Sequence, residues 1–411
     1  MIQHSPPNRP AAAAAVVNDA PPIATTRADH TFFWIVTLLY WITLYVYMPI
    51  LTPYLEFRGL SMELIGLVLG SYGFTQILVR LPLGIWSDRL RRRKPFIMLG
   101  MLTGAASCFL FTIPGSAVWP LAGRVMAGIC ASTWVAFTVL YAGYFRSQDA
   151  TKAMGTISFM TVSGQLAGMA VSGFLAEHYG WEAPFAAGIG IGLAGLAAAF
   201  AIKEPKDGLS GRQPISLQEM RGVVREGILL RISILSILAH CVLFITMFGF
   251  TPLKATADLG ADKVDLTLIV AAFMIPHAFT SLVSTKWFAP RCGPWNILMA
   301  GFLLSGLFTA AVVWSPSLPV LMATQAFNGF AQGLSLPILL GMAIQDVSQS
   351  KRATAMGFYQ AMYAAGMFAG PFLAGWLNGL AGIDSGFYFG AAAAAAGALL
   401  AWFWRTAPGR P

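Results

Sequence analysis

Charge is what this sequence has least of. Asp, Glu, Lys and Arg make up 10% of its 411 residues, where a soluble domain carries about 25%. Hydrophobic residues make up 57%, more apolar side chain than a water-soluble fold can hide, so part of the solvent is expected to be lipid. Metal chemistry is equally short of material. The four cysteines, Cys108, Cys130, Cys241 and Cys292, include no CxxC pair, and the five histidines never cluster. The first three cysteines fall in apolar runs and read as small packing residues, so neither a metal site nor a cofactor is expected. No GxxxxGK[ST] loop is present to hold ATP, which leaves gradients as the energy source. An enzyme in the membrane needs His, Asp, Glu or Cys converging at one face, and none converge here, so no enzyme is expected. The net charge is +9, yet the basic residues lie between apolar runs and form no continuous face for a nucleic acid.

What the chain does have is apolar runs. A spanning helix takes about 20 mainly apolar residues. Such runs lie near 31–54, 63–86, 96–113, 118–143, 153–176 and 184–202, and again near 230–253, 265–287, 295–314, 318–345, 353–378 and 386–404. The expected fold class is an all-α membrane protein of twelve spans in two six-helix bundles. The expected organisation is a disordered cytoplasmic tail over 1–30, a first bundle over 31–203, a cytoplasmic linker over 204–229, a second bundle over 230–405 and a short tail over 406–411. The linker is rich in charge and holds a candidate surface helix around Leu217 to Val224. With the N-terminus placed inside, the outer loops hold only Arg58, Lys254 and Lys263. The other loop cations, among them Arg89 to Lys94 and Lys203 to Arg231, fall inside. That bias predicts both termini in the cytoplasm. Arg80 and Arg124 remain, and both lie within spans.

The halves echo one another. Ala153, Met154, Gly155, Gly164 and Gly168 each recur 202 positions later, as Ala355, Met356, Gly357, Gly366 and Gly370. Both segments follow a basic inner loop, so the repeat is parallel, about an axis along the membrane normal. Spaced glycines are a device for close helix packing and say little about substrate.

Between spans two and three the chain reads Leu81-Pro-Leu-Gly84-Ile-Trp-Ser-Asp88-Arg89-Leu-Arg91-Arg92-Arg93-Lys94. Gly84, Asp88-Arg89 and the arginines after them resemble the signature loop of the major facilitator superfamily, twelve-span type. The family's usual form has glycine where this chain has Arg91. The second-half counterpart, Lys286 and Arg291-Cys292-Gly293, is degenerate, with Pro290 in the aspartate's place. The expected role is a gate: Gly84 lets two helices meet, and Asp88 at a span end needs a cationic or helix-terminal partner that one conformation supplies. Arg89 and Arg92 belong to that gate, although the run Arg91 to Lys94 also serves to anchor topology. In span four, Arg124, Gly128 and Ala131-Ser132 resemble the family's buried-arginine segment, which is associated with proton coupling in many members. Span five lacks the Gly-Pro element frequent in drug antiporters. Gly370-Pro371 falls in span eleven instead.

The resemblance implies a central cavity lined by spans one, four, seven and ten, with help from two, five, eight and eleven. The residues singled out for coupling or substrate are Arg124, Arg80, Gln76, Tyr40, Gln165, His240, Gln325, Asn328 and Gln360. Intramembrane Gln and Asn also bond neighbouring helices, and a lone His is commonly satisfied locally. No Asp or Glu falls in mid-span; Glu56, Asp88 and Glu177 lie near span ends. A cavity with arginines and no carboxylate disfavours organic cations and suits neutral or anionic solutes. The expected function is a proton-coupled secondary transporter in the bacterial inner membrane, acting as a monomer on a small organic solute by alternating access. Efflux of amphipathic compounds stands beside uptake of an organic anion or siderophore-like ligand. A transport-inactive sensor is the rival class. Asp88→Asn is expected to abolish transport while the protein still inserts, as read by uptake assays beside membrane fractionation; full transport by this variant removes Asp88 from the gate.

Overall fold

The structure, a computed structural model, describes residues 23–145, 150–204, 227–345, 347 and 352–405. The expected terminal tails, apart from 23–30, therefore lie outside the described residues. So does most of the linker, including the candidate helix around Leu217 to Val224. Twelve helices cross in sequence: α1 (Arg27–Phe57), α2 (Met62–Leu90), α3 (Lys94–Thr112), α4 (Val118–Ala142), α5 (Ala150–Tyr179) and α6 (Ala183–Ala199). The second six are α7 (Gly227–Leu259), α8 (Lys263–Cys292), α9 (Pro294–Ala311), α10 (Leu318–Gln345), α11 (Arg352–Ala381) and α12 (Asp384–Arg405). No strand occurs among the described residues. Ten of these helices are long and apolar enough to cross a bilayer on those grounds alone. The other two are α6, which is 17 residues long, and α11, whose apolar run is interrupted by Gln360, Tyr363 and repeated glycines. Outer surfaces are apolar, as a lipid solvent requires: Ile275, Phe279 and Leu282 form one exposed stripe on α8.

Several spans are broken, each for a local reason. α1 opens with a capping box between Thr26 and Asp29. It gives way to a 3₁₀ turn over Met48–Ile50, where Pro49 removes a backbone donor. α4 breaks at Thr133, where the hydroxyls of Ser132 and Thr133 turn back to the carbonyls of Gly128 and Cys130, each at 2.8 Å. α7 carries a π-turn over Thr246–Phe250 in which Gly249 leaves helical geometry (φ −124°, ψ −110°) just ahead of Pro252. The breaks in α1 and α7 occupy corresponding places in the two halves.

Packing repeats as the sequence does. α1 packs on α5 and α6, α2 on α4, and α3 on α4 and α6. The second bundle repeats each pairing, with α7 on α11 and α12, α8 on α10, and α9 on α10 and α12. The repeated glycines do the same work in both. A Cβ on Gly164 would sit 2.9 Å from Leu38 O, and one on Gly366 would sit 2.1 Å from Ile237 O. The largest joints between the bundles are α2 with α11 and α5 with α8, and α1 also meets α7 and α8.

Among the described residues the joints are tight at one face, while glycines near the other meet nothing. The chain's described ends and the Arg89–Lys94 turn mark a basic face. At the opposite face Gly66 lies against Gly375, and Gly173 against Lys263 O. There the Gly173 amide donates to Thr267 Oγ1 (2.9 Å) and Lys263 pairs with Glu177 (3.5 Å). Toward the basic face, Gly84, Gly155, Gly341 and Gly357 have nothing within 4 Å of a built Cβ. The bundles thus form a wedge, sealed at the opposite face and parted at the basic one. Gly84 meets no helix in this conformation.

The turn before α3 resolves the departure at Arg91. Its backbone is left-handed, φ 52°, at the position where the resembling family usually has glycine. A side chain there costs about 1–2 kcal/mol. Glu204 accepts from the Arg93 and Lys94 amides, capping α3, while buried Arg93 donates from Nη1 to Ser87 Oγ at 2.5 Å. In thermal unfolding followed by tryptophan fluorescence, Gly366→Ala is expected to lower stability by about 1–3 kcal/mol. Gly357→Ala, whose Cβ meets nothing, is expected to raise it by about 1 kcal/mol; equal behaviour of the two would contradict the close packing of α11 on α7 at Gly366. Arg91→Gly is expected to stabilise by about 1 kcal/mol in the same measurement, and a loss would show that the left-handed turn is not strained.

Candidate functional site

At the closed end of the wedge the bundles meet around Arg124. Its side chain is 2% exposed. Gly128, one turn on, lets α4 press on α2, where a Cβ would lie 2.7 Å from that of Thr75. That approach brings the guanidinium over the Tyr72 ring, 4.4 Å from its centroid. Nη1 lies 3.4 Å from Met48 Sδ, a weak acceptor, and Nε has no partner. The walls are Leu44, Tyr45 and Met48 of α1, Tyr72 of α2, and Phe244 and Phe248 of α7. Phe244 stacks on Tyr72 (6.1 Å, 19°), and Phe248 meets Tyr45 edge-on at 5.9 Å. The cavity left between them is about 10 Å³, close to the least that holds one water.

No acidic side chain lines this cavity. Ion pairs among the described residues engage Lys203, Lys254 and Lys263, all remote from Arg124. A desolvated cation without a counter-ion is costly. The tyrosine face offsets about 2 kcal/mol of that. The site therefore holds unspent attraction for negative charge, framed by aromatic walls.

One level closer to the basic face, a second polar joint crosses the bundles. Arg80 donates from Nη1 to Tyr363 OH (3.1 Å) and from Nη2 to Ala131 O (3.3 Å). His240 stacks flat on Tyr363, centroids 4.4 Å apart at 8°. Gln76 is buried, with Nε2 3.4 Å from Tyr72 O and 3.8 Å from Met367 Sδ. Tyr72, Gln76 and Arg80 form one i, i+4, i+8 stripe on α2, and all three face the other bundle.

The remaining sequence-based candidates sit elsewhere. Tyr40 is fully buried inside the first bundle and donates to Cys130 O, which places it at the α4 break and not in the cavity. Asn328 is turned toward α9: Ser305 Oγ donates to its Oδ1 (2.7 Å), and its Nδ2 donates to Thr309 Oγ1 (3.3 Å). It serves packing within the second bundle, because a buried amide in lipid must find local partners. Gln325 is fully buried with neither amide atom partnered. Gln165 and Gln360 are half-buried on α5 and α11. Arg89 and Arg92 are exposed at the basic face, and the Asp88 side chain lies outside the described residues. The residues missed by sequence reasoning are Met48, Tyr72, Phe244 and Phe248. Only Tyr72 carried a signal, its register with Gln76 and Arg80; the others look like any apolar residue in an apolar run.

Comparison with known proteins agrees with this architecture. The family model described as Major Facilitator Superfamily matches residues 33–256 and 232–411. The chain is 27% identical to the tetracycline resistance protein, class E, of Escherichia coli over 349 residues, 81% of this chain and 83% of that one. It is 27% identical to the inner membrane transport protein YajR of Escherichia coli K12, covering 88% of this chain and 78% of YajR. With multidrug resistance protein 1 of Bacillus subtilis the identity is 25%, covering 87% and 91%. Among solved structures, the nucleoside transporter NupG superposes with a TM-score of 0.76 at 15% identity, covering 93% of this chain and all of that one. A bacterial homologue of the human lysosomal transporter Spinster, inward-facing and unoccupied, superposes at 0.73 with 17% identity, covering 92% and 96%. Two six-helix bundles, a parallel repeat and a family match running through both halves have one explanation: this chain is a multi-pass membrane transporter of the major facilitator superfamily.

Proposed function

We propose that the protein is a proton-coupled secondary carrier of the bacterial inner membrane that exports small amphipathic solutes with neutral or anionic head groups, working as a monomer by alternating access. The observation that carries this reading is Arg124, buried without a counter-ion among Tyr45, Tyr72, Phe244 and Phe248 where the bundles meet. Aromatic walls suit the apolar body of such a solute, and the guanidinium suits its head. The absence of an acidic wall leaves nothing to balance an organic cation. Export is supported by the names of two relatives, which are tetracycline and multidrug resistance proteins. They speak for drug efflux even though α5 lacks the Gly-Pro element.

Orientation follows from the distribution of lysine and arginine, which puts the basic face in the cytoplasm. The wedge then opens inward, and the seal between Gly66 and Gly375 faces outward. In that state a cytoplasmic solute reaches the apex. A cavity of about 10 Å³ is far below the roughly 300 Å³ of a ligand pocket, so binding requires Phe244 and Phe248 to swing aside. The π-turn at Gly249 gives α7 a joint for that movement. Closure at the basic face and opening at the other complete the cycle.

Purified protein in nanodiscs, screened by thermal shift at two pH values, tests this. Lipophilic carboxylates and neutral amphiphiles are expected to raise the unfolding temperature, by about 2.7 kcal/mol in stability at 100 times Kd. Matched lipophilic cations are expected to do nothing, and Arg124→Ala is expected to lose the response. A lipophilic cation emerging as the best ligand would sink the assignment.

A further inference from the structure

The carrier reading leaves its proton without an acceptor, since no carboxylate lies in mid-span. We propose that His240 of α7 is the proton-binding residue, and that it acts by releasing the Arg80–Tyr363 latch between the bundles. This rests on the proton-coupled reading above.

The geometry defines where the proton goes. His240 Nδ1 lies 2.8 Å from the Ser236 carbonyl oxygen. A carbonyl only accepts, so Nδ1 carries the hydrogen and Nε2 holds the lone pair. Nε2 has no hydrogen-bond partner among the described residues, and the ring is half-buried, so a proton can reach it. The ring is fixed from two sides: Ser236, which also donates to Tyr359 OH (2.9 Å), and the flat face of Tyr363.

Tyr363 links this ring to the other bundle. Its hydroxyl accepts from Arg80, and among the described residues this hydrogen bond is the side-chain joint between the bundles nearest the basic face. Stacking on Tyr363 tolerates imidazole in either charge state. What changes is Arg80. A protonated His240 puts a second cation on the tyrosine that already holds a guanidinium, and no carboxylate among the described side chains stands beside them to balance them. The ionisable groups facing this point are Tyr45 of α1, Tyr72 and Arg80 of α2, Arg124 of α4, and Tyr359 and Tyr363 of α11. α9 and α10 carry no charged residue over their described spans, and the charges of α12, Asp384 and Arg405, sit at its two ends. The two permanent charges that face this point, Arg80 and Arg124, are both positive. Protonation therefore favours the conformation in which Arg80 and Tyr363 separate, coupling proton binding to movement of α2 against α11.

The test reads conformation and not transport. Cys292, the exposed cysteine, is replaced by serine, and spin labels are placed through Ser61→Cys on the outer end of α2 and Leu380→Cys on that of α11. Distances are measured in nanodiscs between about pH 4 and 8, a range that extends below the one in which an exposed imidazole titrates. The wild type is expected to shift from the short, sealed distance toward a longer one as pH falls, by at least about fivefold in population ratio. His240→Gln is expected to stay at the short distance throughout. Tyr363→Phe, which keeps a stacking face and loses the acceptor, is expected to show the longer distance at every pH. A wild type that ignores pH, or a His240→Gln variant that still responds, overturns the proposal. The ligand screen is independent of these labels, so failure of the substrate assignment and failure of the proton site are told apart.

Discussion

A positive charge held in the middle of a membrane without a negative one beside it governs this protein. Arg124 is 2% exposed, rests on the face of Tyr72 and has the Met48 sulfur and the Tyr47 hydroxyl beside it. Such a group is affordable only where surrounding structure forces it and where another state or a ligand relieves it. Its neighbours follow from that requirement. Gly128 permits the close approach of α4 to α2 that places it, the break at Pro49 turns Met48 toward it, and the aromatics of α7 close it off from the second bundle.

Backbone contact through glycine is the second constraint, and it sets what can move. Within each bundle Gly164, Gly168, Gly366 and Gly370 lock α5 onto α1 and α11 onto α7. Between bundles Gly66, Gly173 and Gly375 make the seal at the face opposite the basic one. Lipid offers no hydrophobic drive between helices, so van der Waals contact at short range carries the association. Contact of this kind is steep with distance, and a joint built from it is either closed or open. The glycines at the basic ends, Gly84, Gly155, Gly341 and Gly357, have no such contact in this conformation.

Much of the fold was readable before any coordinates. Twelve runs, their two groups of six and the 202-residue echo all reappear as helices and as matching packing pairs. Arg80 and Arg124 stood out because a charge in an apolar run is expensive, whether it serves transport or helix packing, and both fall where the bundles meet. Polar residues without charge were harder. Asn328 and Tyr40 looked like cavity groups, yet each satisfies a neighbour inside its own bundle, since in lipid every buried amide or hydroxyl seeks the nearest partner. Gln76 and His240 resembled them in sequence and sit at the joint between bundles.

The sequence alone determined the solvent, the number of crossings and the asymmetry of charge between the two faces, because these depend on composition summed over about 20 residues at a time. Tertiary structure alone decided which side of each helix faces the other bundle, and with it the roles of Tyr72, Phe244 and Tyr363. In a helix that is apolar all round, no periodicity marks one face from another. Direction is then set by where glycines let backbones touch, and that is known only when both helices are in place.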